Sequence, residues 1–264
     1  MDKAVVVLSF DDGRIDNYEV VFDIIRKRKI PATFNIATAY VDGSISMQDS
    51  PCQNESMDIN DVIVLEKQGV EIAGHGDCHQ NTIEDIQQGI EKLKKWLHYP
   101  RNQKLGFASP HCILMEDDIF QKRKEFEDLG IFYVRTGIRK KNCFYMRVIR
   151  KLAHLSKSTW LYRLGYQDSL ETSSGRFVFH SIPVMNRATV NQVKTIIEKA
   201  VYQKKVCVLM FHSIVGDDSP YFHDTWSWDR RKFEDLCEWL VKMSSDNRVQ
   251  LSTMKELVAQ GEEI

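Results

Sequence analysis

Short apolar strands separated by amphipathic helices recur along the whole chain, and this alternation constrains the fold more than any other feature. Residues 5–8 are apolar at every position, which is typical of a strand buried on both faces. Apolar residues then recur at helical spacing over residues 17–29, 59–68 and 82–97. The strand candidates are residues 5–8, 30–36, 70–73, 105–108, 132–134, 176–182, 205–211 and 249–251. Such alternation predicts an α/β fold with a parallel sheet and crossover helices.

Composition narrows the class of protein further. The chain has 264 residues and no obvious linker, so we expect one domain over residues 1–264. The formal charge of 36 − 37 = −1 implies no general attraction to nucleic acid. No apolar run is long enough for a transmembrane helix, and the sequence as given starts without a signal peptide, so we expect a cytoplasmic protein. None of the six cysteines is in a C-x-x-C pair, which indicates reduced thiols rather than a disulfide framework.

Residues 138–175 fit the strand–helix alternation poorly and are expected to form an insertion. Between Arg139 and Arg163 the chain carries eight Lys or Arg residues and no Asp or Glu. A weak apolar stripe at helical spacing accompanies them, formed by Val148, Ile149, Leu152 and Leu155. One interpretation is a solvated helical insertion. The other is a lid, or a peripheral contact with anionic lipid or a phosphorylated carrier.

Two stretches at strand ends suggest a metal site. The first strand runs into SFDDG, which ends in the adjacent carboxylates Asp11 and Asp12, and ionising both is costly unless a cation lies nearby. The strand near residue 72 runs into HGDCH, where His75 and His79 are four residues apart. Either stretch alone is also consistent with an ordinary turn. Together, two histidines and the carboxylate of Asp12 match the usual ligands of a catalytic zinc ion, and Asp11 is then available as a base.

Two further stretches complete a family resemblance. They are FASPH, which ends at His111, and LMFH, which ends at His212. In the order SFDDG, HGDCH, FASPH and LMFH, the chain resembles the polysaccharide deacetylases, also called NodB-homology or carbohydrate esterase family 4 deacetylases. The resemblance runs from about residue 5 to about residue 255. It implies a distorted (β/α)7 TIM-like barrel.

The resemblance also implies roles for individual residues. Asp11 is the expected general base, and Asp12, His75 and His79 are the expected ligands of a divalent metal. His212 is the expected general acid, which requires a ring that is protonated near neutral pH. The backbone N–H of His111, after Pro110, is expected to help hold the oxyanion.

The chain departs from the family pattern at the third motif. Many members carry an arginine there that pairs with the catalytic base, whereas FASPH has none. Arg135, at the end of the strand near residue 133, is a candidate replacement, although a surface charge is an equally good interpretation. The usual acidic partner of the acid histidine is also missing. His180, in a Phe-His-Ser-Ile stretch that recurs at residues 211–214, is a candidate for that place, although a structural histidine is favoured.

Substrate-binding residues are the least constrained part of the site. Met210 is a candidate lining of an acetyl pocket, and Pro110 belongs to the same expected subsite. Trp226 and Trp228 lie in an aromatic-rich loop after His212 and suit sugar faces, although packing within the loop is an equal alternative.

The predicted function is a metal-dependent hydrolase that removes N-acetyl groups from amino sugars of a polysaccharide, an oligosaccharide or its precursor. A lipid-linked or nucleotide-linked precursor agrees with the expected cytoplasmic location. The cofactor is expected to be Zn²⁺, with Co²⁺, Ni²⁺ and Fe²⁺ also compatible with one Asp and two His ligands. Alternatives are a deformylase or O-deacetylase on the same fold, and an inactive saccharide-binding homologue. The oligomeric state is left open.

Overall fold

The computed structural model describes residues 3–49, 54–172 and 174–262. The strands are β1 (Ala4–Phe10), β2 (Ala32–Ile36), β3 (Glu71–Gly74), β4 (Leu105–Ala108), β5 (Ile131–Thr136), β6 (Val178–His180), β7 (Ile182–Pro183), β8 (Val206–Phe211), β9 (Ser213–Val215), β10 (Ser227–Asp229) and β11 (Val249–Ser252). The α-helices are α1 (Asp23–Arg28), α2 (Thr38–Val41), α3 (Ile59–Lys67), α4 (Ile83–Trp96), α5 (Glu116–Gln121), α6 (Arg123–Asp128), α7 (Phe144–Ser156), α8 (Thr159–Tyr166), α9 (Val190–Gln203), α10 (Arg230–Ser245) and α11 (Met254–Glu262). A π-helical stretch, Asn17–Phe22, precedes α1.

The large sheet curves into a nearly closed barrel of parallel strands. Its order is β6-β5-β4-β3-β2-β1-β8-β7, and β11 pairs with the first half of β1. The two outer strands of this order, β6 and β7, are consecutive parts of one segment that is interrupted at Ser181. The first part pairs with β5 and the second with β8, so this bent segment closes the barrel. With β6 and β7 taken as one strand, the wall has seven strands, and the predicted distorted (β/α)7 barrel is confirmed.

Alternation along β1 sorts its side chains between two apolar clusters. Val6, Leu8 and Phe10 belong to the large cluster that the surrounding helices complete. Val5 and Val7 belong to a smaller cluster to which α11 contributes apolar side chains. Because successive strand residues point to opposite faces, Val5 and Val7 lie on one face of β1, which continues toward the carboxyl end of the strand. The barrel strands end on the same side, where functional sites of parallel barrels form.

The predicted element boundaries agree with the structure to within a few residues, with three exceptions. The helix predicted for residues 17–29 begins as a π-helical stretch and becomes α-helical only at Asp23. The strand predicted for residues 176–182 is broken at Ser181. A small parallel pair, β9 with β10, was not predicted.

The predicted insertion, residues 138–175, lies between β5 and β6 and contains the helical pair α7 and α8. Cys52 lies outside the described residues, and the other five cysteines carry unpaired thiols. Over the described ranges, no helix combines the length and apolar character needed to cross a bilayer.

Candidate metal centre and active site

Three side chains from two strand ends converge on one point. The Nε2 atoms of His75 and His79 lie 3.2 Å apart, and each lies 3.4 Å from Oδ1 of Asp12. Asp12 and His75 are buried and His79 is nearly so. Among the described residues these three form the one group of His, Cys, Asp and Glu ligand atoms close enough to share a metal ion. The structure therefore brings together the three ligands that the sequence predicted.

The protonation of this group fits a bound cation. Nδ1 of His75 donates to the carbonyl oxygen of Ala108 at 2.8 Å, so Nε2 is the ring atom that faces Asp12 and His79. Burial and the nearby His75 ring lower the pKa of His79 to about 3, so the His79 ring is neutral. Oδ1 of Asp12 is buried without a hydrogen-bond partner. Three electron-pair donors this close repel one another unless a cation lies between them, so the residues present fit a divalent metal.

Arg14 fixes the carboxylate of Asp12. Its Nε and Nη2 donate to Oδ2 of Asp12 at 3.0 and 2.9 Å, and its Nη1 donates to Ser213 at 3.0 Å. Burial alone would raise the pKa of Asp12, but Arg14 and the neighbouring histidines hold it well below its usual value. One oxygen of Asp12 is thus used by the arginine, and the other faces the two histidines.

The loop that carries His75 and His79 is held by Asp85 at the start of α4. The Asp85 carboxylate accepts the backbone N–H groups of Asp77, Cys78 and Gln80 at 2.7 to 3.0 Å. Gly76 has φ of +77°, and a Cβ there would lie 2.4 Å from Oδ2 of Asp85. The glycine is therefore required by both backbone conformation and space.

Asp11 lies beside the metal group and is tied to a different arginine. Nη2 of Arg135 donates to both carboxylate oxygens of Asp11 at 2.7 Å, and Arg135 is fully buried. Asn35 donates to Oδ1 of Asp11 at 2.8 Å. Burial would raise the pKa of Asp11, but Arg135, His75 and His212 together hold it below its usual value. The structure thus places Arg135 where the missing arginine of the third motif was expected, and a surface charge is ruled out.

His212 follows β8 and packs against Trp226 with ring centroids 4.5 Å apart. Its Nδ1 is buried without a hydrogen-bond partner. Burial lowers the pKa of His212 to about 4. The expectation of a ring that is protonated near neutral pH is therefore wrong, because the resting ring is neutral.

A cavity of about 590 Å³ opens above these residues. Asp11, Asp12, His75, His79 and His212 lie on its floor and walls. Met210 and Trp226 line it as predicted, and so does His111, whose ring centroid lies 4.3 Å from that of His79. The cavity is large enough for a sugar ring with its acyl group.

The opposite wall of the cavity comes from the insertion. Lys141 and the α7 residues Arg147, Arg150, Lys151 and His154 all line it. Arg150 is buried and donates to backbone carbonyls of Gly165, Arg139 and Lys140. Lys141 donates to the carbonyls of His111 and Cys112. In the described part of the chain no carboxylate pairs with any of these four cations.

Two sequence-based assignments need correction, and for His180 the favoured structural interpretation agrees with the structure. Trp228 is 1% exposed and donates from Nε1 to the carbonyl of Ala188 at 2.9 Å, so it is a core residue and cannot stack on a sugar. Pro110 is buried and lies outside the cavity lining, so its contribution is limited to shaping the turn before His111. His180 pairs with Glu171 at 2.8 Å beside a separate cavity of about 200 Å³, so it is not a partner of His212.

Sequence reasoning missed the polar residues that hold the ligands. Arg14, Asn35 and Asp85 bond directly to Asp12, Asp11 and the histidine loop. Behind Arg14, the buried Asp16 accepts from Asn54 and from the backbone of Ile214. A usable signal existed only for Arg14, two residues after Asp12, and for Asn35, which interrupts an apolar strand.

Comparison with known proteins agrees with the family resemblance. The family model of polysaccharide deacetylases matches residues 1–118, a range that contains SFDDG, HGDCH and FASPH. No curated protein matches the chain.

Of three similar solved structures, the first agrees with this chain in fold. A Mycobacterium smegmatis protein, provisionally described as a polysaccharide deacetylase, matches at a TM-score of 0.57 and 12% identity, over 100% of this chain and 92% of its own. A Streptococcus pyogenes deacetylase, PplD, matches at a TM-score of 0.40 and 17% identity, over 50% of this chain and 55% of its own. A family 4 acetyl xylan esterase from Clostridium thermocellum, solved with a cobalt ion, matches at a TM-score of 0.46 and 12% identity, over 97% of this chain and 91% of its own.

Proposed function

We propose, from the match of residues 1–118 to the family model of polysaccharide deacetylases, that this chain is a metal-dependent hydrolase that removes N-acetyl groups from amino sugars. The observation that carries the proposal is the convergence of Asp12, His75 and His79 next to an independently anchored Asp11. A pure binding site has no need for a carboxylate base beside three metal-ligand atoms. The expected cytoplasmic location remains part of the proposal.

The ligand set supports Zn²⁺ or a similar ion. Two neutral imidazoles and one carboxylate are the usual protein ligands of a hydrolytic zinc ion, although Co²⁺, Ni²⁺ and Fe²⁺ accept the same set. When bound, such an ion lowers the pKa of a coordinated water and polarises the acyl oxygen. Asp12, His75 and His79 would hold it.

The remaining residues position the reactants and move the proton. Asp11 is ionised at neutral pH, since Arg135 holds its pKa down, and it accepts the proton of the attacking water. Arg135 and Asn35 fix both carboxylate oxygens, so the base cannot turn away from the water. The N–H of His111 remains the expected donor to the oxyanion. Met210 and Trp226 flank the acyl group and the sugar.

His212 is proposed to donate the proton that the leaving amine needs. Because its resting ring is neutral, it must first receive a proton within the same reaction cycle. The proton that Asp11 takes from the attacking water is the available source. Water thus supplies the hydroxyl of the acetic acid that is released, and the proton it loses to Asp11 ends on the leaving amine, so the step balances.

The cationic wall indicates a negatively charged group on the substrate. Lys141, Arg147, Arg150 and Lys151 line the cavity, and the two carboxylates within it are already paired with arginines. A phosphorylated precursor of the polysaccharide, carried by a lipid or a nucleotide, supplies such a group. This favours a precursor over a neutral finished polymer.

The test measures metal content together with acetate release from N-acetylglucosamine oligomers and from N-acetylglucosamine 1-phosphate. Asp12→Asn should lose both the metal and the activity, with turnover falling at least about 10³-fold, because a metal ion contributes several kcal/mol to such a reaction. The matched control is Asp235→Asn, which removes an exposed carboxylate on α10 and should leave both unchanged. Metal in the wild type without acetate release from any acetylated sugar would overturn the N-deacetylase proposal.

The same assay separates the alternatives. Formate release from an N-formyl sugar, without acetate release, would identify a deformylase, and acetate release from O-acetyl sugars alone would identify an esterase. The inactive homologue was suggested by the missing arginine of the third motif. Arg135 now lies on Asp11, which removes the reason for preferring that alternative.

A further inference from the structure

One side of α7 exposes a continuous set of large apolar side chains, which we call the α7 apolar face. Its members are Phe144, Tyr145, Val148, Leu152 and Leu155, each between 41% and 78% exposed. At 100° per residue they span an arc of about 100° on the helix. Met146, Arg150 and Ala153 occupy the buried side of the same helix. A helix at an ordinary protein surface carries polar residues where α7 carries these five.

From this face we infer that α7 docks on a lipid bilayer that contains anionic phospholipid. The combination of a strongly amphipathic helix, aromatic residues on its apolar side and basic residues along the border is typical of helices that lie in the membrane interface. Trp160, at the start of α8, is also 58% exposed and adds a third aromatic residue type to the same insertion.

The charge of the insertion is complementary to such a surface. The eight basic residues between Arg139 and Arg163 have no acidic neighbour in sequence. Arg139 and Lys140 form ion pairs with Glu116, Glu171 and Asp168. For the other six, the described residues supply no carboxylate partner. Each basic residue near an anionic leaflet adds about 1 kcal/mol of attraction.

The position of two cations links this surface to the cavity. On the helix, Arg147 and Lys151 lie between the α7 apolar face and the buried side, and both line the cavity. Long basic side chains at such a border keep their charge among the headgroups while their stems cover apolar surface. The mouth of the cavity therefore opens next to the docked face.

A second copy of this chain is a less suitable partner for the same face. A two-fold contact places the same surface patch on both subunits. Arg147 and Lys151 of one copy would then lie opposite the cations of the other, and like charges in contact oppose association.

Docking also bears on the substrate, a step that rests on the proposed function. Of the lipid-linked and nucleotide-linked precursors, only the lipid-linked one is held at a bilayer. A cavity mouth beside the membrane favours that carrier class. Failure of vesicle binding would remove this step without affecting the deacetylase assay in solution.

The test is cosedimentation of the full chain with phosphatidylcholine vesicles, with and without about one third phosphatidylglycerol, at ~0.15 M salt. The wild type should bind the anionic vesicles. Leu152→Glu/Leu155→Glu should bind at least about tenfold more weakly, since each buried leucine contributes more than a tenfold change in partitioning. The matched control is Tyr202→Glu, because Tyr202 is 84% exposed on α9, outside the insertion, and it should bind like wild type.

Three outcomes would overturn the inference. They are absence of binding to anionic vesicles, equal loss in Tyr202→Glu and Leu152→Glu/Leu155→Glu, and a concentration-dependent dimer that only the leucine variant disrupts. A readout without mutation keeps the test independent of variant folding. In the wild type, anionic vesicles should slow amide hydrogen exchange over residues 144–156, and unchanged exchange there would also contradict docking.

Discussion

The two walls of the cavity differ in how their charges are compensated. On the wall formed by strand ends, each buried carboxylate has its own arginine: Asp11 pairs with Arg135 and Asp12 with Arg14. On the wall formed by the insertion, Arg147 and the other cations have no carboxylate partner in the described part of the chain. Charges of the first wall are compensated within the protein, whereas Arg147 and Lys151 on the second wall have no hydrogen-bond or carboxylate partner among the described residues and are available to a ligand.

This difference separates chemistry from recognition. The family model matches residues 1–118, which include the metal ligands and Asp11 but not the insertion. Buried ion pairs hold a geometry, because breaking one leaves an uncompensated charge. Exposed cations and apolar side chains can instead be substituted to suit a different substrate, with little loss of folding stability. Substitutions on the two walls should therefore have different effects.

The largest effect is expected from Arg135→Met. Removing the guanidinium leaves the Asp11 carboxylate buried without its counter-charge, which costs about 3–5 kcal/mol in the free energy of unfolding. The base also loses its orientation, so turnover should fall about 10²–10³-fold. Chemical denaturation and acetate release measure the two effects. Arg231→Met, at an 81% exposed position, is the control and should change neither. A stable and fully active Arg135→Met would contradict the role assigned to this residue.

A pH-dependent effect on stability is expected from Asp16→Asn. Burial raises the pKa of Asp16 to about 6 from a usual value of 3.8. The folded protein therefore binds this proton more tightly than the unfolded chain does. The resulting stabilisation is full below pH 4 and disappears as the pH rises through 6, a loss of at most about 3 kcal/mol. Denaturation of the metal-free proteins at pH 4.5 and pH 7.5 measures this difference. Asp16→Asn should show a smaller loss than wild type, and an equal loss would refute the assignment.

A smaller effect is expected from Asp85→Ala, which leaves all three metal ligands in place. Without this carboxylate, three backbone N–H groups of the histidine loop lose their acceptor, so the two rings are less well oriented. Metal affinity should fall about 10–100-fold. Competition with a chelator of known affinity measures it. Glu84→Ala, at the exposed neighbouring position on α4, is the control. Unchanged affinity in Asp85→Ala would show that the loop holds its shape without this contact.

The smallest effect is expected on the helical wall. Arg147→Gln/Lys151→Gln should raise KM for a phosphorylated amino sugar about 5–10-fold and leave kcat nearly unchanged, because these cations bind the substrate away from the reacting bond. For a neutral oligomer KM should change little. Lys122→Gln/Lys124→Gln, two exposed positions near α6, is the control. Equal effects on charged and neutral substrates would show that Arg147 and Lys151 do not recognise the charge of the substrate.

Much of the fold was predictable from sequence. Strand β8 is apolar throughout and β1 is apolar at every position except Ser9, and helices such as α4 start at a capping residue, here Thr82, so local pattern and burial agree. The break at Ser181 and the pair β9–β10 were not predictable. Both involve strands of two or three residues, whose pairing depends on which neighbours the closed barrel brings near.

The site divides in the same way. Asp11, Asp12, His75, His79 and His212 follow strand ends within motifs, so their convergence follows from parallel strand direction. The partners that hold them come from remote positions. Ser213, which supports Arg14, is 199 residues away from it, and Arg135 is 124 residues from Asp11. Trp226 and Trp228 are two residues apart, yet only one lines the cavity. No local pattern distinguishes them, because the choice depends on packing against Ala188.

The break between β6 and β7, where the barrel closes, has a consequence for how the protein should respond to heat. Ser181, at the break between β6 and β7, accepts a hydrogen bond from Nη1 of Arg135 at 2.9 Å, and the other end of that guanidinium holds Asp11. The two-residue strand β7 is the short link to β8. If this link opens first on warming, the base is released while most of the core is still packed. Thermal inactivation should then begin below the melting temperature, and prompt cooling should restore activity.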